Sequence, residues 1–249
     1  GIVIGQMATP GMVDALGFET TMLIYGIVGA VSAVLFVLFA KDHPPTPAGY
    51  EERVLMLDGL KHILKLKEFY MLAFIVFVVN ALFNGVSTWV EPIVRPKGMD
   101  FSQAGTIGGL LMIGGIVGLF VFPPISDKLR RRKPVFLAGI IGAIPFLIAM
   151  TLLNSFPLMA IASAILGFFV MGVTPVAYQY GTEKLYPAPE GTSMGLIVLA
   201  GQLSVVVLSV MGWMYAQYGN FTLSLLILAG LMVVSAILLF FMQESKMVQ

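Results

Sequence analysis

The sequence predicts an all-α membrane protein, and three observations carry that reading. Of the 249 residues, 58% are hydrophobic and 11% charged, with a mean hydropathy of +0.95, whereas about a quarter of an ordinary soluble domain is charged. The charged residues avoid seven windows, 20–40, 69–90, 104–125, 135–153, 157–179, 192–214 and 222–242, which together take up more than half of the chain. Each window is 19 to 23 residues long, and at about 1.5 Å of rise per residue a helix of that length crosses a hydrocarbon core of about 30 Å. None alternates polar and apolar residues as a membrane β-strand of about 10 residues would. The expected fold is a helix bundle with seven full transmembrane helices plus a partial one.

The partial span is the opening stretch GIVIGQMATPGMV, too short to cross and without the basic flank of a signal peptide. It reads as the end of a span whose start lies upstream; a processed or engineered start is the alternative. Window 20–40 holds only Thr20, Thr21 and Ser32 as hydroxyls on an apolar helix and reads as scaffold. Residues 41–68 open with KDHPPTPAG, where three prolines forbid helix. They continue with Met56, Leu57, Leu60, Ile63 and Leu64 at helical spacing beside Lys61, Lys65 and Lys67. That pattern fits a basic amphipathic helix on the inner leaflet, or a solvated linker with incidental leucines. It divides residues 1–40 from six closely spaced spans over 69–249 and suggests a module boundary.

Polar groups distinguish the later spans, because a helix lining an aqueous path carries them on one face. In 69–90, Asn80, Asn84 and Thr88 recur every four residues, with Ser87 beside them and Glu91 ending the row before Pro92. The amides either line a ligand path or bond a neighbouring helix. Window 104–125 has small-xxx-small pairs at Gly105/Gly109 and Gly114/Gly118, which predict close helix packing. Windows 135–153 and 222–242 carry few polar groups and read as scaffold. Span 157–179 runs on through Thr174, Pro175, Tyr178, Gln179 and Thr182, and Pro175 removes a backbone donor, so a kink of gating or of packing origin is expected there. In 192–214 the lone amide Gln202 lies near mid-membrane, where it needs a partner such as a ligand or a water-filled cavity.

Alternate connections fall on one side of the membrane, and the cations partition accordingly. Lys41, Arg53, Lys61, Lys65, Lys67, Lys128, Arg130, Arg131, Arg132, Lys133, Lys184 and Lys246 share one side, against Arg95 and Lys97 on the other. By the positive-inside rule the first side is cytoplasmic and so is the C-terminus. The net charge of +1 gives no reason to invoke nucleic acid. With no cysteine, and with His43 and His62 both in the polar connection, there is no thiolate metal site and no nucleophile–histidine pair at membrane depth. An enzyme is not expected, nor a cofactor.

Between two spans lies PPISDKLRRRKP, residues 123–134. It resembles the loop signature of the major facilitator superfamily, G-x-x-x-D-[RK]-x-G-[RK]-[RK], matching at Asp127, Lys128, Arg131 and Arg132, with Pro123 and Arg130 in the two glycine positions. The segment EKLYPAPEGTSMGLIVLAGQ, residues 183–202, is similar to the feline leukemia virus subgroup C receptor-related branch, through Glu183, Tyr186, Pro187, Glu190, Gly191, Thr192, Ser193, Gly195, Leu196 and Gln202. The resemblance implies a major-facilitator-type bundle. Residues 1–40 would be the end of helix five and helix six of an amino-terminal half, 41–68 the central cytoplasmic loop, and 69–249 the carboxy-terminal six-helix half. It implies a role for Asp127 in tying helices in one transport state. It also implies choline-like substrates held by aromatic rings and glutamines, one of them at Gln202. Asn84 stands where that branch has a tyrosine, and Trp89, one turn further out, is the aromatic expected to compensate.

The expected function is facilitative transport of a small organic solute by alternating access; a membrane receptor or scaffold that binds without transporting is the alternative. Asn84, Gln202, Tyr178, Asn80, Thr88 and Gln179 are the expected lining residues. Asp127, Arg131, Glu183, Pro175 and Glu91 are expected to gate or support them. The expected partners are a small-molecule substrate, membrane lipids and the other half of the transporter, in the plasma or inner membrane of the cell.

Overall fold

A computed structural model describes residues 12–13, 15–39 and 56–245. Residues 1–11 of the expected partial span, the KDHPPTPAG segment and Lys246 lie outside the described residues. Regular structure among the described residues is helical throughout: α1 (Phe18–Phe39), α2 (Met56–Ile63), α3 (Lys67–Val94), α4 (Phe101–Leu129), α5 (Lys133–Leu152), α6 (Phe156–Lys184), α7 (Glu190–Gln202), α8 (Val205–Tyr218) and α9 (Thr222–Phe241), with a 3-10 turn at Arg95–Lys97 after α3. Seven spans are long and apolar enough to cross a membrane, α7 and α8 forming one of them. The chain divides into two compact units, residues 1–52 and 53–249.

In the first unit α1 buries only Thr21, whose hydroxyl donates to the Gly17 carbonyl at 2.8 Å. The second unit holds the other six spans. The short helix α2 docks by Gly59 and Ile63, both buried. A Cβ on Gly59 would stand 2.5 Å from Pro189 Cδ, just before α7. The inner side of the amphipathic pattern thus faces protein, while Leu64 stays exposed.

The tightest pairing is α4 with α6. Added Cβ atoms on Gly114 and Gly118 would stand 1.9 Å from the Ala164 carbonyl oxygen and 2.1 Å from that of Phe168. Gly167 meets Leu111 O equally closely at 1.9 Å. Helix association in lipid rests on such backbone contact, because lipid offers no hydrophobic drive between helices. Ser163 adds a hydroxyl reaching the Ile107 carbonyl of α4 at 3.0 Å. The other expected pair behaves differently: nothing lies within 4 Å of a Cβ on Gly105 or Gly109. Two-sided capping starts α4, with Asp100 accepting from Gln103 N at 2.8 Å and Gln103 Oε1 accepting from Asp100 N at 3.2 Å.

Two spans depart from straight helix. α3 bends at Trp89 (φ −102°, ψ 16°), three residues before Pro92, whereas α6 runs through Pro175 as one helix. The span 190–218 is broken at Leu203–Ser204, where Ser204 N donates to Gly201 O (3.1 Å), Val206 N to Leu203 O (3.1 Å) and Val207 N to Ser204 O (2.9 Å). These bonds reach back three residues, so the chain tightens to a 3-10 turn between α7 and α8.

Candidate functional site

α3 buries Leu72, Ile75, Val79, Leu82 and Val86 in the core and leaves Phe77, Asn80, Asn84 and Thr88 on its less covered side. The Asn80 amide donates to its own helix at Val76 O (2.9 Å) and presses on α7, since a Cβ on Gly201 would stand 2.9 Å from Asn80 Nδ2. One turn on, Asn84 Nδ2 donates to Ser204 Oγ at 3.2 Å. Ser204 is fully buried in the break between α7 and α8. Asn84 therefore fixes the break to α3, and its side-chain oxygen is left to accept. Gln202, immediately before the break, is exposed, and its side-chain amide has no hydrogen bond to another described residue. An amide in that state at membrane depth requires water or a ligand, because lipid gives it no partner.

Depth sorts the remaining residues. Counting from the helix ends at the basic loops, Asn80 and Gln202 lie roughly 20 Å and 18 Å in, and Asn84 roughly 25 Å. Asn80 meets α7 at Gly201 and Asn84 meets the break at Ser204, while Gln202, between those two contacts in sequence, is exposed. Tyr178 and Gln179 lie within roughly 10 Å of the basic end of α6, Tyr178 half-buried and Gln179 exposed, so they stand nearer the basic loops than those residues. Thr88 is exposed toward the opposite end. There Glu91 pairs with Arg95 at 3.7 Å, a solvent-facing contact with Arg95 77% exposed and worth little. Trp89 does not join the open side. Its ring meets Phe221 at a tilt (centroids 5.3 Å), Phe221 stacks on Tyr215 (4.8 Å), and a Cβ on Gly212 would touch the indole at 3.1 Å.

The basic end is tied by Arg132, which is 2% exposed. Its guanidinium bonds Asp127, Ser126 (3.1 Å) and Glu183 (3.3 Å), joining the end of α4 to the end of α6. Arg131, by contrast, is exposed. Arg130 takes the left-handed conformation (φ 48°) and ends α4. The chain turns there, which sends the second following arginine inward. Glu244 accepts from the backbone N–H groups of Arg132 (3.1 Å), Lys133 (2.9 Å) and Ser245 (3.1 Å), so a carboxylate caps the start of α5. At the far end of α5, Lys97 Nζ donates to the carbonyls of Met150 (2.6 Å), Thr151 (2.8 Å) and Leu153 (2.9 Å). Both ends of α5 thus meet the charge that its dipole favours. Arg132 belongs to the signature match, but that match does not predict its inward position, and the contacts made by Ser204, Glu244 and Lys97 have no signal in the sequence pattern.

The sequence profile described as Major Facilitator Superfamily matches residues 1–209 and 92–248. An uncharacterized protein of Archaeoglobus fulgidus is 30% identical over 224 residues, covering 90% of this chain and 100% of that protein. The choline/ethanolamine transporter FLVCR2 of Rattus norvegicus is 25% identical over 246 residues, covering 88% of this chain and 44% of the relative. Among solved structures, FucP, a Major Facilitator Superfamily transporter in the outward conformation, superposes with a TM-score of 0.69 at 17% identity, over 91% of this chain and 55% of that one. The chain spans the whole of the Archaeoglobus protein and about half the length of the two transporters.

Proposed function

The chain belongs to the Major Facilitator Superfamily, and from that membership we propose that residues 69–249 act as the carboxy-terminal transport half of a solute transporter working by alternating access. Residues 1–40 then belong to the amino-terminal half, and 41–68 form the central cytoplasmic loop. The substrate is a small organic solute, with a choline-like cation as the favoured class, and Asn84, Gln202 and Asn80 hold it near the midplane between two rocking halves. Thr88 borders the outer approach; Tyr178 and Gln179 border the inner one. One observation supports the reading: Asn80 and Asn84 meet a broken helix well inside the bundle, and the Gln202 side chain next to that break is exposed and without a hydrogen-bond partner among the described residues.

The chemistry of these residues supports an uncharged grip. Amide oxygens and the Phe77 ring on the same side of α3 can face a quaternary ammonium without a carboxylate. The similarity to a protein named as a choline/ethanolamine transporter supports the same class. In the six spans of the second unit, the described carboxylates sit at helix ends, Glu68, Glu91, Asp127, Glu183 and Glu190. A proton carrier at mid-depth is therefore not supplied by this half, which favours facilitative transport. Asp127, Glu183 and Glu91 serve as supports at the two faces, with the C-terminus in the cytoplasm and the protein in the cell membrane.

The test is uptake and counterflow of labelled choline in proteoliposomes carrying the full transporter, repeated with Asn84→Ala and Gln202→Ala. The expected result is saturable uptake with counterflow, reduced at least about tenfold by either substitution, as for loss of a hydrogen bond left unmade in a desolvated site. Binding without time-dependent uptake would identify a receptor or scaffold instead. Wild-type transport by both variants would refute the site.

A further inference from the structure

We propose that the seam between α5 and α9 is a binding site for an anionic glycerophospholipid, with an acyl chain in the apolar groove and the headgroup phosphate on Lys133. The proposal depends on the protein spanning a membrane and not on what it transports.

Leu137, Ile141 and Ile144 of α5 and Val233, Ile237 and Phe241 of α9 face one another across a groove of about 430 Å³ with no polar lining atom. A cleft of that size is within the ~300–1,000 Å³ of ordinary ligand sites, and a hydrocarbon chain is the ligand that leaves no polar group unpaired in it. The groove lies in the half of the membrane nearest the basic loops, because Leu137 is one turn inside the start of α5 and Phe241 ends α9.

Its mouth is cationic. Lys133 Nζ donates to Phe240 O at 2.8 Å and stands 5.5 Å from the centre of the Phe240 ring, which itself lines the groove. That contact spends one of three ammonium protons and fixes the charge directly over the apolar seam. Lys128 in the last turn of α4 and Arg130 and Arg131 in the loop that leads to Lys133 are all exposed and without side-chain partners among the described residues. The neighbouring acids are already engaged: Asp127 and Glu183 by Arg132, Glu244 by three backbone N–H groups. What remains is a positive rim above a hydrocarbon slot, which complements a lipid with a net negative headgroup. A second copy of the chain is disfavoured, since a twofold contact through this seam would bring the two Lys133 ammoniums together.

The purified 249-residue chain in detergent is offered equal amounts of phosphatidylglycerol and phosphatidylcholine, and retained lipid is counted by native mass spectrometry. The expected result is one retained phosphatidylglycerol with a preference of at least about fivefold, the value of one cation at a membrane surface. Lys133→Gln should bring the preference close to one, and Lys133→Arg should keep it. Ala236→Phe, which fills the groove without touching charge, should lower retention of both lipids. Helical circular dichroism equal to wild type admits each variant; if Lys133→Gln fails this check, the Arg and Phe variants still decide. An unchanged preference in Lys133→Gln, unchanged retention in Ala236→Phe, or a protein dimer lost in Ala236→Phe would each overturn the proposal.

Discussion

Replacing Arg132 by methionine tests how the basic end of the bundle is held. Methionine keeps most of the apolar stem and removes the guanidinium that bonds Asp127, Ser126 and Glu183. The two carboxylates do not weigh equally. Asp127 is 62% exposed, and water replaces its lost partner at a cost within the ~0–1 kcal/mol of a surface pair. Glu183 is 13% exposed and its Oε2 is already buried without a partner, so removing Arg132 strands a buried charge. Breaking a buried pair from one side costs about 3–5 kcal/mol, and Arg132→Met is expected near the lower end of that range. Adding Glu183→Gln should return at least about 1 kcal/mol by removing the stranded charge. The assay is unfolding in mixed micelles of increasing sodium dodecyl sulfate, followed by far-ultraviolet circular dichroism. Additive losses in the double variant, or an Asp127→Asn loss as large as that of Arg132→Met, would refute the reasoning.

Arg130 holds a left-handed φ of 48°, so Arg130→Gly should stabilise the protein by about 1 kcal/mol in the same assay. A Cβ on Gly114 would stand 1.9 Å from the Ala164 carbonyl oxygen; Gly114→Ala should therefore force α4 from α6 and cost at least about 2 kcal/mol, read as a lower midpoint of thermal aggregation. Lys97→Met leaves three carbonyls at the end of α5 without their charged donor, with an expected loss of about 1–3 kcal/mol in the unfolding titration.

The spans were legible because insertion in hydrocarbon imposes a single strong constraint, a charge-free length of helix, and α1, α3, α4, α5, α6 and α9 each contain or nearly coincide with a charge-free window. The asparagine stripe was legible for a similar reason, since a four-residue recurrence places Asn80 and Asn84 on one side of a helix. The partners of that stripe were not. Ser204 has no periodicity of its own, and the break it sits in contains no proline to announce it. Within LRRRKP, composition gives three adjacent arginines that look alike; the left-handed turn at Arg130 decides that Arg132 points inward and Arg131 outward. Gly105/Gly109 and Gly114/Gly118 show the same limit, because identical spacing meets a neighbouring helix in one case and open space in the other.

The central claim is that Asn84 and Gln202 border water and a ligand. Since residues 1–249 hold no cysteine, single replacements Gln202→Cys and Asn84→Cys can be probed in membranes of cells expressing the transporter, with any cysteine elsewhere in it changed to serine, using a charged methanethiosulfonate that does not enter lipid. Ile141→Cys, in the apolar seam of α5 and α9, is the lipid-facing reference. Modification at 202 and 84, slowed by choline and absent at 141, is the expected result. Cysteines at 202 and 84 as unreactive as that at 141 would contradict the account.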